Sequence, residues 1–441
     1  MPETHRRHAL IIENPFLMPE TMSAEAISLP IEKPRQPAGL FVLAGAEMWE
    51  RFSFYGVRSL LVLYLVEALQ YSRADALSVY GMYTGSAFLC AIAGGWLADR
   101  FLGQRRAVVL GMLLMMAGHV ALGLDQPVAL ALGFLAVGTG LFKPTTTAMV
   151  GALYAPDDAR RQGGYTVFYM GINIGAALSA LIGGYLAQRH GWGYGFMAAA
   201  VGMAIGVVVF MAGWRWLPAV AAPAPEPART TWNDAGARRR IQVILLMSLV
   251  AICFYLGYEQ AAGVMTLFVR DHVSPQFLGF ELTAAQFLAV NPILVILLAP
   301  LSARLLSRLD WPEFRVQGLG MGVLGASFVL LHMLQGRAAQ GELIPAWMMV
   351  GIIGVQTAAE LLVIPIGLAV VSRYAPAGWT ATLMGAWMLA KATAGFLAGQ
   401  LYGWLLPTGL SLYAVLTAVC LAGSLLLIAL SGTLRRYAGM P

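Results

Sequence analysis

Eight ionisable side chains stand in otherwise apolar stretches of this sequence: Glu47, Glu50, Arg51, Arg58, Lys143, Glu259, Glu360 and Lys391. Four are acids and four are bases, so they can balance one another. A charge at mid-bilayer costs about 2.5–3.5 kcal/mol on insertion scales, roughly 20–28 kcal/mol for eight taken singly. A fold whose net stability is about 5–15 kcal/mol cannot carry that load unpaired. The eight must therefore face each other or a wet cavity. There carboxylates can trade protons, and guanidinium and ammonium groups can hold anions. Positions 47, 50, 51, 54, 55 and 58 follow one face of an α-helix. Glu47, Glu50, Arg51, Phe54, Tyr55 and Arg58 thus form a stripe about 16 Å long at about 1.5 Å per residue. A purely structural ion-pair stripe is the alternative, but buried pairs are poor stabilisers beside apolar packing.

The elements that carry these charges follow from hydropathy. The chain has 441 residues, 59% hydrophobic and 11% charged, where a soluble domain carries about 25% charged residues. This is membrane-protein composition, and the net charge of +6 has no polar domain on which to form a nucleic-acid surface. A helix needs about 20 apolar residues to cross the hydrocarbon. Twelve candidates lie near 40–68, 76–98, 105–124, 128–151, 164–187, 193–216, 241–269, 283–307, 314–334, 343–372, 379–405 and 410–434. The Pro/Ala-rich stretch 218–240 is a linker that splits them six and six. Residues 1–38 read as a polar leader; "ALIIENPFLM" is too short for a signal-peptide core. Sixteen arginines fall on the side of the linker and the C-terminus, against Arg73, Arg189, Arg270 and Arg337 opposite, which predicts both termini cytoplasmic. "AGGWLADRFLGQRR" (93–106) and "APLSARLLSRLD" (299–310) end spans 2 and 8 alike, as two six-helix repeats predict. The first also resembles the loop signature of the major facilitator superfamily, with Asp99 and its arginines expected to lock the inward face.

"EMWERFSFYG" resembles the ExxERFxYYG signature of the proton-dependent oligopeptide transporter family. "GLFKPTTTAMVGALY" (140–154), "FYMGINIGA" (168–176), "FYLGYEQAAGVM" (254–265), "FLAVNPILVILLAP" (287–300), "AAELLVIPIGLAVVSRYAP" (358–376) and "LMGAWMLAKATAGFLAG" (383–399) are similar to that family's spans 4, 5, 7, 8, 10 and 11, in order. The resemblance covers nearly everything from residue 39 onward. It departs at Phe54 and Phe88, where the family has tyrosines, and at Lys391, where it has a small polar residue. It implies an all-α fold of two six-helix bundles that imports di- and tripeptides with protons. Under that reading Arg51, Lys143 and Arg58 hold the cargo carboxylate and Glu360 its ammonium. Asn173 and Asn291 bond its amide, and Tyr55 and Trp387 wall the site. Glu47 and Glu50 compete for Arg51 and Lys143, and protonation frees a cation. Arg58 and Glu259 pair between halves and part on protonation. Lys391 is expected to pair with Glu360 and keep the empty site closed, and Pro144 to hinge beside Lys143.

Other signals carry little. "GLGMGVLG" (318–325) has dinucleotide-loop spacing but no preceding strand, and "GTGLFKPT" lacks the glycine before lysine. "GMAIG" (202–206) and "GINIG" (171–175) fit close helix packing. Cys90, Cys253 and Cys420 read as buried hydrophobes, and His119 and His332 as satisfied buried histidines. The expectation is thus a non-enzymatic, twelve-span major facilitator fold of the inner membrane. It works as a monomer with peptides and protons and without cofactor, metal or nucleic acid. The alternatives are a proton-coupled carrier of another anion-bearing small molecule or drug, and a membrane-embedded sensor.

Overall fold

In the computed structural model the described residues are 35–155, 158, 160–218, 234–308, 311–376 and 379–439, without the side chains of residues 307 and 381. The leader up to residue 34 and the linker centre, 219–233, lie outside them. Inside a bilayer every backbone N–H and C=O needs a partner within the chain, so apolar runs of this length form helices. The first half comprises α1 (Ala38–Glu67), α2 (Arg73–Leu97), α3 (Gln104–Gly123), α4 (Val128–Ala152), α5 (Arg160–His190) and α6 (Trp192–Ala212). The second comprises α7 (Ala235–Tyr258) and α8 (Val264–His272), which share one span, then α9 (Val290–Arg308), α10 (Glu313–Ala339), α11 (Ala346–Tyr374), α12 (Thr380–Leu405) and α13 (Leu412–Ala438). Twelve membrane-length segments result. Ten are long and apolar enough to cross a membrane by length and composition. The other two, α1 and α12, carry the charged stripe and Lys391.

Several boundaries move. Span 7 begins at Ala235, inside the expected linker, because Asp234 caps α7 by accepting from the N–H groups of Gly236 (2.8 Å) and Ala237 (3.2 Å). The same span breaks in a 3₁₀ turn, Glu259–Ala262, so its upper part is the separate α8. Pro292 sits in the first turn of α9, where a missing N–H costs nothing, while Pro144, Pro300 and Pro365 lie inside helices. A short hairpin pairs β1 (Gln276–Phe277) with β2 (Phe280–Glu281) through Leu278 and Gly279 at positive φ.

Each half has its own apolar core. One gathers around Leu43, Phe142, Phe196 and Phe210, the other around Phe254, Phe314, Phe328 and Leu416. Small residues let the helix axes close up. A Cβ at Gly175 would lie 2.1 Å from the Met48 carbonyl oxygen, and one at Gly94 2.2 Å from that of Gly140. Gly202 and Gly206 face Trp49 and Phe52, so both small-residue motifs pack α5 and α6 onto the charged helix α1. Gly318, Gly320 and Gly325 pack α10 against α13 and α11, which accounts for the "GLGMGVLG" spacing.

The halves meet at the end of the bundle where α1 finishes and α2 begins. Arg73 pairs with Asp271 (2.7 Å), Arg270 with Glu67 (3.4 Å), and Gln400 bonds Ser78 (2.8 Å). Gly81 and Gly399 bring α2 and α12 into backbone contact; a Cβ on Gly399 would stand 2.4 Å from the Leu77 carbonyl oxygen. Among the described residues α4 and α5 make no comparable packing with α11 or α12. The bundle is therefore closed at one end and splayed at the other. At the splayed end Asp99 is exposed and without an ion pair, so the expected lock is not engaged. Arg105 instead stacks on Trp214 (5.3 Å) and donates from Nε to the Pro218 carbonyl (3.1 Å), tying α3 to the end of α6.

Candidate functional site

The stripe on α1 faces inward along its whole length. Glu47 and Glu50 are fully buried and Arg51 is 7% exposed. Arg51 donates from its terminal NH2 to Glu50 Oε1 (2.5 Å) and from Nε to Glu50 Oε2. Its Nε also lies 3.5 Å from Glu47 Oε1. Lys143, brought by α4, donates to Glu47 Oε1, and Thr146 one turn later donates to Glu47 Oε2 (3.2 Å). Two carboxylates thus saturate two cations. Phe54 and Phe168 cover the outer faces, 4.7 Å from the Arg51 guanidinium and 5.8 Å from the Lys143 ammonium. Pro144 removes the N–H that would have met the Gly140 carbonyl, and that carbonyl rests against Gly94 of α2.

Two turns beyond Arg51 on α1, Arg58 reaches across the halves to Glu259 at 3.0 Å, with both groups buried. Glu259 stands in the 3₁₀ break of span 7, which turns its side chain toward α1. The Arg58 guanidinium lies 5.8 Å from the Tyr55 ring and 5.6 Å from that of Tyr258.

On the second half Glu360 of α11 accepts from Asn291 Nδ2 (2.8 Å) and from the Tyr258 hydroxyl (3.3 Å). Asn291 also donates to Thr357 (3.0 Å). No Lys or Arg nitrogen lies within 4.0 Å of Glu360. Tyr55, Arg58, Tyr258 and Asn291 open onto a cavity whose remaining walls are mostly apolar and include Met265, Phe287, Leu324 and Met349.

Two expected placements are corrected. Trp387 is not a cavity wall: it is 0% exposed, packed near Tyr255 (6.1 Å between rings) and against Gly367, with its indole N–H unbonded. Only glycine at 367 leaves room for that ring. Asn173 Nδ2 donates to the Tyr169 carbonyl one turn back (3.0 Å), which leaves its second N–H and its carbonyl oxygen available. Lys391 does not pair with Glu360; its ammonium lies among the rings of Phe88 (4.8 Å), Tyr255 (5.5 Å) and Tyr258 (5.9 Å). Thr146, Thr357 and Tyr258 take part in the site but were missed. The "TTT" run after Lys143 and Tyr258 beside Glu259 were the only hints in the chain. The three cysteines are unpaired, Cys420 buried but Cys90 and Cys253 only half-buried; His119 is buried and bonds Ser53 Oγ (2.5 Å), whereas His332, expected to be buried, is exposed and bonds Ser411 Oγ (3.0 Å).

The arrangement is a chain of ion pairs that begins in one half, crosses to the other and ends at an acid bonded only by neutral groups. Protein comparisons agree with it. The Major Facilitator Superfamily profile matches residues 43–399. The chain is 29% identical to the peptide transporter YePEPT of Yersinia enterocolitica, covering 89% of this chain and 93% of that one. It is also 29% identical to dipeptide and tripeptide permease A of Proteus mirabilis, over 83% and 86% of the two chains. A glutamate-to-glutamine variant of a peptide transporter, solved in complex with alafosfalin, superposes with a TM-score of 0.82 at 29% identity, covering 91% of this chain and 96% of its own. The chain is a multi-pass membrane transporter of the major facilitator superfamily and belongs to its proton-dependent oligopeptide transporter family.

Proposed function

We propose that this protein imports di- and tripeptides together with protons across an inner membrane, as a monomer with both termini in the cytoplasm. The observation that carries the reading is the closed ion-pair ledger on α1 and α4. Glu47 and Glu50 occupy Lys143 and Arg51. Protonating either carboxyl leaves one cation without a partner, and a peptide carboxylate can take its place. The peptide ammonium goes to Glu360, which accepts from neutral donors and, among the described residues, has no Lys or Arg nitrogen within 4.0 Å. Because the two ends of the cargo engage different halves, binding responds to how the halves rock. The apolar walls of the neighbouring cavity suit side chains of varied size. The Arg excess favours an inside location for the splayed end, which supports reading the geometry as that of an inward-facing carrier. Outward closure rests on Arg58–Glu259 and the glycine seam of α2 and α12.

Purified protein in liposomes, given radiolabelled dialanine and an inward proton gradient, tests the reading. Accumulation that collapses with a protonophore is expected. No accumulation together with export of an unrelated drug rejects it, as does binding without movement.

A further inference from the structure

Lys391 is the one intramembrane cation among the described residues that meets no carboxylate. Arg51 and Lys143 are held by Glu50 and Glu47, and Arg58 by Glu259. Lys391 meets three π faces: Phe88 from α2, and Tyr255 and Tyr258 from α7. Ring faces hold an ammonium in place but offer no lone pairs, so its three N–H donors remain unspent. The mirror case is Glu360, whose donors are neutral. Both groups touch the same side chain. The Tyr258 hydroxyl donates to Glu360, and its ring faces the Lys391 ammonium. An acid and a base, neither in a direct ion pair within 4.0 Å among the described residues, thus sit one tyrosine apart.

A cargo that places its ammonium on Glu360 brings its first residue's side chain next to Lys391. A neutral side chain leaves that cation unanswered; a carboxylate answers it. We propose that Lys391 is a specificity-determining residue that selects peptides whose first residue has an acidic side chain. The inference rests on the peptide reading above. It adds an anion subsite at the ammonium end, separate from Arg51 and Lys143. Phe88 fits this role: its hydroxyl-free ring cages the ammonium without giving it a hydrogen-bond acceptor.

The test compares unlabelled Glu-Ala, Gln-Ala and Ala-Glu as competitors of dialanine uptake. The assay runs at about pH 6.5, above the ordinary glutamate pKa of about 4.3. Glu-Ala should compete about tenfold better than its neutral isostere Gln-Ala, equivalent to about 1.4 kcal/mol, and better than Ala-Glu. The ratio, taken within each variant, should fall to near one in Lys391→Ser and Lys391→Gln and stay above one in Lys391→Arg. Affinities of Glu-Ala and Gln-Ala for the purified wild-type protein give the same ratio without relying on any variant. A wild-type ratio near one, a ratio unchanged in Lys391→Ser, or a preference for Ala-Glu over Glu-Ala overturns the proposal. Absent dialanine uptake is a different failure, that of the peptide reading itself.

Discussion

Replacing Glu259 with glutamine should open the closed end of the bundle. Glu259 is 1% exposed, and neither of its oxygens makes a hydrogen bond, so the Arg58 ion pair at 3.0 Å is all that holds it. At that separation and an effective dielectric of about 20, the attraction is roughly 5–6 kcal/mol before desolvation is subtracted. Removing one partner of such a buried pair costs about 3–5 kcal/mol, because the remaining guanidinium stays dry and uncompensated. The other pairs at this end cannot make up the loss. Arg73–Asp271 and Arg270–Glu67 involve side chains 48% and 42% exposed, and such pairs are worth about 0–1 kcal/mol each. Taking about 3 kcal/mol, the closed-to-open ratio should drop roughly a hundredfold, from about 99:1 to near even. Spin labels at the exposed positions Gln70 and Gln276, in a background lacking the three unpaired cysteines, read the opening as a second, longer distance population. An apolar pair, Arg58→Met with Glu259→Leu, should restore the short distance, since no charge is then left stranded. A distance distribution in Glu259→Gln that superimposes on the wild type would refute the reasoning.

Glu47→Gln should abolish gradient-driven dialanine accumulation while sparing counterflow, because it frees Lys143 permanently; normal accumulation rejects the coupling role. Gly399→Val puts a branched side chain where even a Cβ lies 2.4 Å from the Leu77 carbonyl oxygen, so the Gln70–Gln276 label distance should lengthen and uptake should fall at least tenfold. Gly175→Ala should cost about 1–3 kcal/mol by forcing α5 off α1, visible as a melting temperature several degrees lower in detergent. An unchanged melting curve would mean the two helices shift apart freely.

Pattern along one helix was legible, because it depends only on the 1.5 Å rise and 3.6-residue turn. The spacing of Glu47, Glu50, Arg51 and Arg58 placed them on one buried face, and the cost of lone charges in lipid required partners for them. The twelve spans, their division into halves and the packing role of Gly171 and Gly175 came from the same local arithmetic. Contacts between helices were not legible in this way. The preference of Lys391 for three rings over Glu360, the burial of Trp387 behind Gly367, and the use of Asn291 to hold Glu360 each depend on how neighbouring helices rotate about their axes. That rotation is settled by packing summed over many residues far apart in the chain. The break of span 7 at Glu259 likewise follows from tertiary contact, since nothing in "GYEQAAGV" but its two glycines marks it. The chain alone determined that charges must meet inside a membrane bundle. Only the packed helices decided which acid meets which base, because partner choice is a property of distances between helices and not of spacing within one.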